Sequence, residues 1–265
     1  MNFSKIGNIT IGGGKRVLIA GPCAIESAEM ALTVAEKLAE ITEKLEIPFI
    51  FKASYDKANR LSLHFGRGMG FPAGLKVLSD IREKFAIPVL TDVHECYQVE
   101  AVASVADVLQ IPAFLCRQTD LALAAAVTGK PVNIKKGQFL APQDMKPIAE
   151  KISEAGNEQI ILTERGVSFG YHDLIFDPRS VVTMQELGYP VIVDVTHICQ
   201  KPAGSGDSST GDRKFVKTFG KVAVALDADG IYMEVHPDPQ NAISDRDIQI
   251  PLDEVEDVIR EIWGI

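Results

Sequence analysis

The sequence predicts an α/β protein folded as a single (β/α)8 TIM barrel with a short N-terminal β-hairpin, and three observations lead there. Eight short β-rich runs alternate with longer stretches of helical periodicity. The runs are near-continuous apolar segments, as parallel strands covered on both faces require. The chain has 265 residues, the length that eight such units fill. An open doubly wound sheet would normally offer a glycine-rich dinucleotide turn after its first strand, and none follows here.

Taken in order, residues 1–15 precede the first strand and are expected to form the hairpin, with NITIGGGKRV (8–17) folding around its glycines to cap the N-terminal end of the barrel. The GGGK within it lacks the spacing of a phosphate-binding P-loop. The candidate strands are RVLIAGPC (16–23), PFIFKAS (48–54), PVLTDVHE (88–95), DVLQIPA (107–113), PVNIKKG (131–137), QIILTERG (159–166), PVIVDVTH (190–197) and GIYMEVH (230–236). Between them, segments such as 28–45 and 77–85 repeat apolar residues every three or four positions with charges in the gaps, which is the pattern of a helix packed on one face. No repeat, linker or charge block divides the chain, so one domain spanning 1–265 is expected.

Composition narrows the function. With 46% hydrophobic residues the chain can bury a large core, and a formal net charge of -9 argues against nucleic acid or an anionic membrane surface as a partner. No apolar run approaches a membrane span, and the stretch at 17–20 is too short for a signal-peptide core, so a cytoplasmic protein is expected. Cys23, Cys96, Cys116 and Cys199 have no paired spacing and are expected to be reduced thiols, most of them in the core.

Barrel enzymes carry their chemistry at the C-terminal ends of the strands. Here nearly every candidate strand ends in a polar or ionisable side chain, although buried charge is costly unless paired or liganded. Lys52, Lys135 and Arg165, from the second, fifth and sixth strands, point to one mouth and could hold a small polyanion; individually, each could instead be paired with a neighbouring carboxylate. If the eighth strand closes on the first, Cys23, His197 and Glu234 come from consecutive strands, and Asp245 lies in the loop that follows. Thiolate, imidazole and two carboxylates make a divalent metal shell that does not choose among zinc, iron and manganese. Asp92 and His94, two residues apart, share one side of the third strand, a spacing that serves proton transfer or a purely structural hydrogen bond. The stretch QKPAGSGDSSTGDRK (200–214) is too rich in Gly and Ser for a helix and suits a lid over the mouth or an ordinary flexible loop.

GPCAIES, FKASYDKANR, TDVHE, QIPAFLCRQTD, NIKKGQFLAP, ERGVSFGY, DVTH and EVHPDPQNAISD, in this order over nearly the whole chain, resemble the 3-deoxy-D-manno-octulosonate 8-phosphate synthases. The resemblance implies a (β/α)8 barrel, usually a homotetramer, that condenses phosphoenolpyruvate with arabinose 5-phosphate for lipopolysaccharide biosynthesis. It implies that Lys52, Lys57, Lys135 and Arg165 grip phosphoenolpyruvate, that Asn59 and Arg60 hold the aldose, and that Asp92 faces sugar hydroxyls. His94 and Gln110 would line the site near the reacting carbons, with Asp92, His94, Lys57 and Lys135 as the catalytic set, and Arg117 would lie close to a neighbouring subunit's site. Cys23, where a metal-independent branch carries Asn, implies the metal-dependent branch, with His197, Glu234 and Asp245 completing the shell.

Departures cluster on the second-substrate side. Leu61 stands where the family usually has a hydroxyl residue, LSLHFGRGMG replaces a related run, QKPAG and SSTGDR alter the lid, and Arg246 follows Asp245. The rival readings are a sibling synthase using another aldose phosphate and a non-catalytic barrel that binds a sugar phosphate.

Overall fold

The computed structural model describes residues 2–62, 64–204 and 209–265. The chain opens with an antiparallel hairpin of β1 (Ser4–Ile6) and β2 (Ile9–Ile11). Parallel strands follow at β3 (Val17–Gly21), β4 (Phe49–Lys52), β5 (Val89–Asp92), β6 (Val108–Ile111), β7 (Val132–Lys135) and β8 (Ile160–Glu164). A small antiparallel pair, β9 (Val167–Ser168) with β10 (Leu174–Ile175), leads to β11 (Val191–Asp194). A second pair, β12 (Gln200–Lys201) with β13 (Thr210–Gly211), precedes β14 (Gly230–His236), whose end is extended by β15 (Ile250–Pro251). Strands β3 to β8, β11 and β14 pair in sequence order, and β14 pairs in parallel with both β11 and β3, so the eight close into a barrel.

Helices α1 (Ala28–Lys44), α2 (Ala73–Phe85), α3 (Val99–Val105), α4 (Thr119–Val127), α5 (Met145–Glu154), α6 (Pro178–Glu186), α7 (Val216–Ala225) and α8 (Val255–Trp263) fill the connections. Helix α1 shows why they form where they do. Ser27 caps it by accepting from the Met30 N–H at 3.1 Å, and Ala31, Val34, Ala35, Leu38 and Ile41 recur on the face that packs on the barrel.

Alternation along each strand sorts side chains into two cores. Leu18, Ala20, Phe51, Leu109, Ile134 and Leu162 face outward under the helices. Ile19, Ile50, Leu90, Val108, Ile161, Ile192 and Tyr232 face inward and form a separate apolar cluster with Ile6, Ile9 and Ile11 of the hairpin. The hairpin is therefore a plug in the N-terminal end of the barrel, tied there by the Ser4 hydroxyl donating to the Ile160 carbonyl at 3.4 Å.

Its turn is not where the glycine run suggested. The chain reverses at Gly7–Asn8, with Gly7 at φ +59°, and Gly12 to Gly14 come after β2. Gly12 is needed for space, since a Cβ there would lie 2.9 Å from the Asn2 carbonyl oxygen. Three of the four cysteines are buried as expected, but Cys96 is exposed because it opens a short 3₁₀ turn beyond β5. The 200–214 stretch is partly ordered as the β12–β13 pair, and its tip at 205–208 lies outside the described residues. Among the described residues no helix is long and apolar enough to cross a membrane.

Candidate active site

Two residues up each strand from the apolar inner layer, the inward side chains turn polar. The middle of the barrel carries an uncharged ladder: Thr163 Oγ1 donates to Asn133 Oδ1 at 2.6 Å, and Asn133 Nδ2 to Gln110 Oε1 at 3.1 Å. Around and above it the ionisable groups converge. Lys52, Asp92, Lys135, Asp194, Glu234 and Arg165 are all at most 6% exposed, so every one must find its counter-charge inside the protein or in a ligand. The outward neighbours Lys136 and Glu164 play no part here. They pair with each other at 3.6 Å beneath the loop after β8, where Lys136 also donates to the Gly166 carbonyl at 3.2 Å.

Four cations, Lys52, Lys57, Lys135 and Arg165, line a cavity of about 260 Å³ together with Asp92, His94 and Gln110. Lys52 Nζ donates to Ser54 Oγ at 2.9 Å, which donates to Asp92 Oδ1 at 2.5 Å, while His94 Nε2 meets Asp92 Oδ2 at 2.7 Å. Burial alone would raise the Asp92 carboxyl, but Lys52, His94 and Lys57 outweigh it and hold it well below the usual carboxylate range. His94 Nδ1 is buried without a hydrogen-bond partner among the described residues, leaving one ring nitrogen for a ligand. Lys135 Nζ lies 2.5 Å from Asp194 Oδ2 and 3.8 Å from the centre of the Tyr232 ring, and burial pulls its ammonium below the ordinary lysine range despite Asp194. Arg165 spreads its guanidinium to Gln138 Oε1 at 3.1 Å and Gln200 Oε1 at 3.3 Å.

A second cavity of about 350 Å³ opens beside the first, and Lys57, Asn59, Gln138, Arg165 and His197 line both. Its outer wall carries Arg60, Leu61, Phe65 and Arg246. Arg60 is fixed by donation to the Gly66 carbonyl at 2.8 Å, Ser244 Oγ at 3.0 Å and the Ile243 carbonyl at 3.2 Å. Leu61 is 61% exposed on this wall, so it offers an apolar surface where a hydroxyl would donate.

Three of the four residues expected to ligate a metal gather in one cluster, with His197 beside it. One ligand atom each from Cys23, Glu234 and Asp245 lie within 4.8 Å of one another, and His197 Nε2 is 3.6 Å from Glu234 Oε1. Asp245 reaches the cluster with its backbone in the left-handed region at φ +53°, a conformation few non-glycine residues adopt, and accepts from Cys23 Sγ at 2.9 Å and Gln200 Nε2 at 2.5 Å. Glu234 Oε2 is buried and accepts no hydrogen bond among the described residues. An orphaned carboxylate oxygen beside a thiol and a second carboxylate fits a divalent cation. Burial, Asp245 and Glu234 push the Cys23 thiol well above its usual value, so a cation taking this sulfur must displace a proton.

The structure thus brings together all the predicted site residues except Arg117, which is exposed beyond β6 and lines neither cavity. Sequence reasoning missed Ser54, Gln138, Asp194 and Gln200 as contact-makers. Ser54 and Asp194 had a readable signal, since each lies on the inward side of its strand, two or three residues from a named site residue. The two glutamines sit in loops whose paths no periodicity reveals.

The chain matches the DAHP synthetase I family over residues 2–264. It is 55% identical over 262 residues to the 2-dehydro-3-deoxyphosphooctonate aldolase of Trichlorobacter lovleyi, covering 98% of this chain and 96% of that one. Proteins of the same name from Fusobacterium nucleatum and Rickettsia typhi are each 53% identical, over 98% and 96% of this chain and 94% and 93% of their own lengths. Matched over nearly its whole length and folded as a closed barrel, the chain belongs to the DAHP synthetase I family.

Proposed function

We propose that the protein condenses phosphoenolpyruvate with arabinose 5-phosphate and water, giving 3-deoxy-D-manno-octulosonate 8-phosphate and inorganic phosphate. The observation that carries this reading is the convergence of Lys52, Lys57, Lys135 and Arg165 on one small cavity that adjoins a larger one, in a chain of net charge -9. Local cations of this density suit a small, strongly anionic substrate. The name shared by relatives at 53–55% identity points to the same reaction.

The chain's own groups supply most of the catalysis. Lys52, Lys57, Lys135 and Arg165 clamp the carboxylate and phosphate of phosphoenolpyruvate, fixing its C3 methylene toward the larger cavity, where Asn59 and Arg60 hold the aldose by its hydroxyls and phosphate. C3 forms a bond to the aldehyde carbon, water adds to C2, and the C2–O bond to phosphate then breaks. The preorganised cations stabilise the charge that moves during these steps. His94, held through Nε2 by Asp92, presents Nδ1 as a site where a proton can be taken or given. A divalent ion held by Cys23, His197, Glu234 and Asp245, of zinc, iron or manganese type, would orient and polarise the aldehyde oxygen or the water.

Assembly belongs to the same proposal. Phe114 borders both cavities yet is 51% exposed, and Arg117 is exposed three residues on, as residues that meet a neighbouring subunit of a cytoplasmic homotetramer would be. Phosphate release measured with a panel of aldose phosphates, after chelation and again after metal is restored, tests the reading. Turnover with arabinose 5-phosphate that falls on chelation and returns with metal is expected. A faster rate with another aldose phosphate overturns the substrate assignment, and full turnover after chelation overturns the metal's role.

A further inference from the structure

Asp194 belongs to neither the clamp nor the metal shell, yet it touches both. It is fully buried at the end of β11. Its Oδ1 accepts from the backbone N–H of Thr196 at 3.2 Å, the Thr196 hydroxyl at 3.0 Å and the backbone N–H of His197 at 2.9 Å, so the carboxylate cannot rotate. Its other oxygen, Oδ2, is contested: Lys135 Nζ donates to it at 2.5 Å, whereas His197 Nδ1 lies 2.8 Å away but is not aligned to hydrogen-bond and has no partner among the described residues.

We infer that Asp194 is a positioning residue that links the two halves of the site, so that filling the anion cavity strengthens the metal shell, and the reverse, through competition of Lys135 and His197 for one oxygen. The inference rests on the proposed roles of Lys135 as an anion ligand and His197 as a metal ligand. With no water at a fully buried carboxylate, Oδ2 serves whichever of Lys135 and His197 is aligned with it, and the loss of that donor is not made up by solvent. An anion that draws Lys135 toward itself leaves Oδ2 to His197. The ring then aligns to donate through Nδ1, and its Nε2 becomes a better electron-pair donor. In the other direction, a cation at Nε2 polarises the ring, Nδ1–H takes the larger share of Oδ2, and Lys135 is released toward the incoming anion. Linkage requires the two effects to be equal in free energy. Ordinary attraction between a bound cation and a bound anion would act in the same direction, but it does not need Asp194.

The test is the dissociation constant for Mn²⁺, measured by competition with a chelating dye, with and without phosphoenolpyruvate, on the whole protein and on its Asp194→Asn variant. Asparagine keeps the shape and the Oδ1 acceptor but removes the charge. Phosphoenolpyruvate should tighten Mn²⁺ binding about tenfold in the unchanged protein. In the variant the effect should shrink to about twofold, the share left to direct attraction between the charges. An undiminished factor in the variant overturns the linkage, as does a factor of one in the unchanged protein while both ligands bind; in either case the functional reading survives. If Mn²⁺ or phosphoenolpyruvate fails to bind the unchanged protein at all, that reading falls and the linkage with it. Should Asp194→Asn not fold, the metal-free unchanged protein with ¹⁵N-labelled histidine decides: phosphoenolpyruvate should move the His197 Nδ1–H resonance downfield, and a resonance that stays still overturns the inference.

Discussion

The two ends of the barrel are built by the same strands, and a shift of two residues converts one into the other. Ile50 becomes Lys52, Leu90 becomes Asp92, Ile192 becomes Asp194 and Tyr232 becomes Glu234. At the lower level the inner face is apolar and sealed by the hairpin; at the upper level it is charged and opens into the two cavities. The difference teaches that stability and chemistry are stored in adjacent layers of one scaffold. The lower layer gains by excluding water, whereas the upper layer holds charges whose desolvation the fold must offset with internal partners.

Substitutions in the two layers should therefore fail in different ways. Lys135→Met is expected to have the largest effect: it removes a cation from the small cavity and leaves Asp194 buried with one donor fewer. Steady-state kinetics should show turnover reduced about 10³-fold, and denaturant unfolding should show a loss of about 3 kcal/mol. Ile161→Ala, below it, should cost a similar about 3 kcal/mol by opening a cavity in the plug layer, with kcat per folded molecule unchanged. If Ile161→Ala lowers kcat as much as it lowers stability, the separation of layers is wrong.

Acid offers a smaller and more selective test. Asp92, Asp194 and Asp245 are held below the usual carboxylate range, burial being outweighed by Lys52 at the first, by His197 and Lys135 at the second and by His197 and Lys57 at the third. Carboxyls depressed in the folded state stabilise it above the unfolded value of about 4. As pH falls below that value the unfolded chain takes up protons first, so stability is lost downward through the folded values. Unfolding followed from pH 7 to pH 3 should be nearly flat and then drop steeply, and Asp194→Asn should drop less. Leu61→Ser, on the exposed wall of the larger cavity, should change least: KM for the aldose phosphate should fall by no more than about fivefold, the worth of one hydrogen bond at an exposed position.

The contrast between layers also explains what the sequence could reveal. Strand runs and their polar ends are contiguous in the chain, so the barrel, the cation cluster and the meeting of Cys23, Glu234 and Asp245 were legible from spacing and order. The inner register was not, because runs such as VLIAG are apolar on both faces and carry no alternation to read. Gln138 and Gln200 reach Arg165 from loops, where position depends on the whole path of the chain. The same limit applies to the hairpin: three consecutive glycines looked like its turn, but Gly12 is there because the chain passes too close to Asn2 for a side chain. Arg117 matched a motif whose partner, if a neighbouring subunit, lies outside this chain.

The plug bears on how such a chain reaches its native state. Ile6, Ile9 and Ile11 lie far ahead of Ile161, Ile192 and Tyr232 in the chain, yet all six belong to one apolar cluster, and the Asn2 N–H donates to the Gly188 carbonyl at 2.8 Å. The hairpin must wait, unburied, until the strands that carry those later residues have emerged. Its docking is then among the longest loop closures in the barrel and falls late in folding, so until β14 closes the ring the nascent chain carries an exposed apolar hairpin.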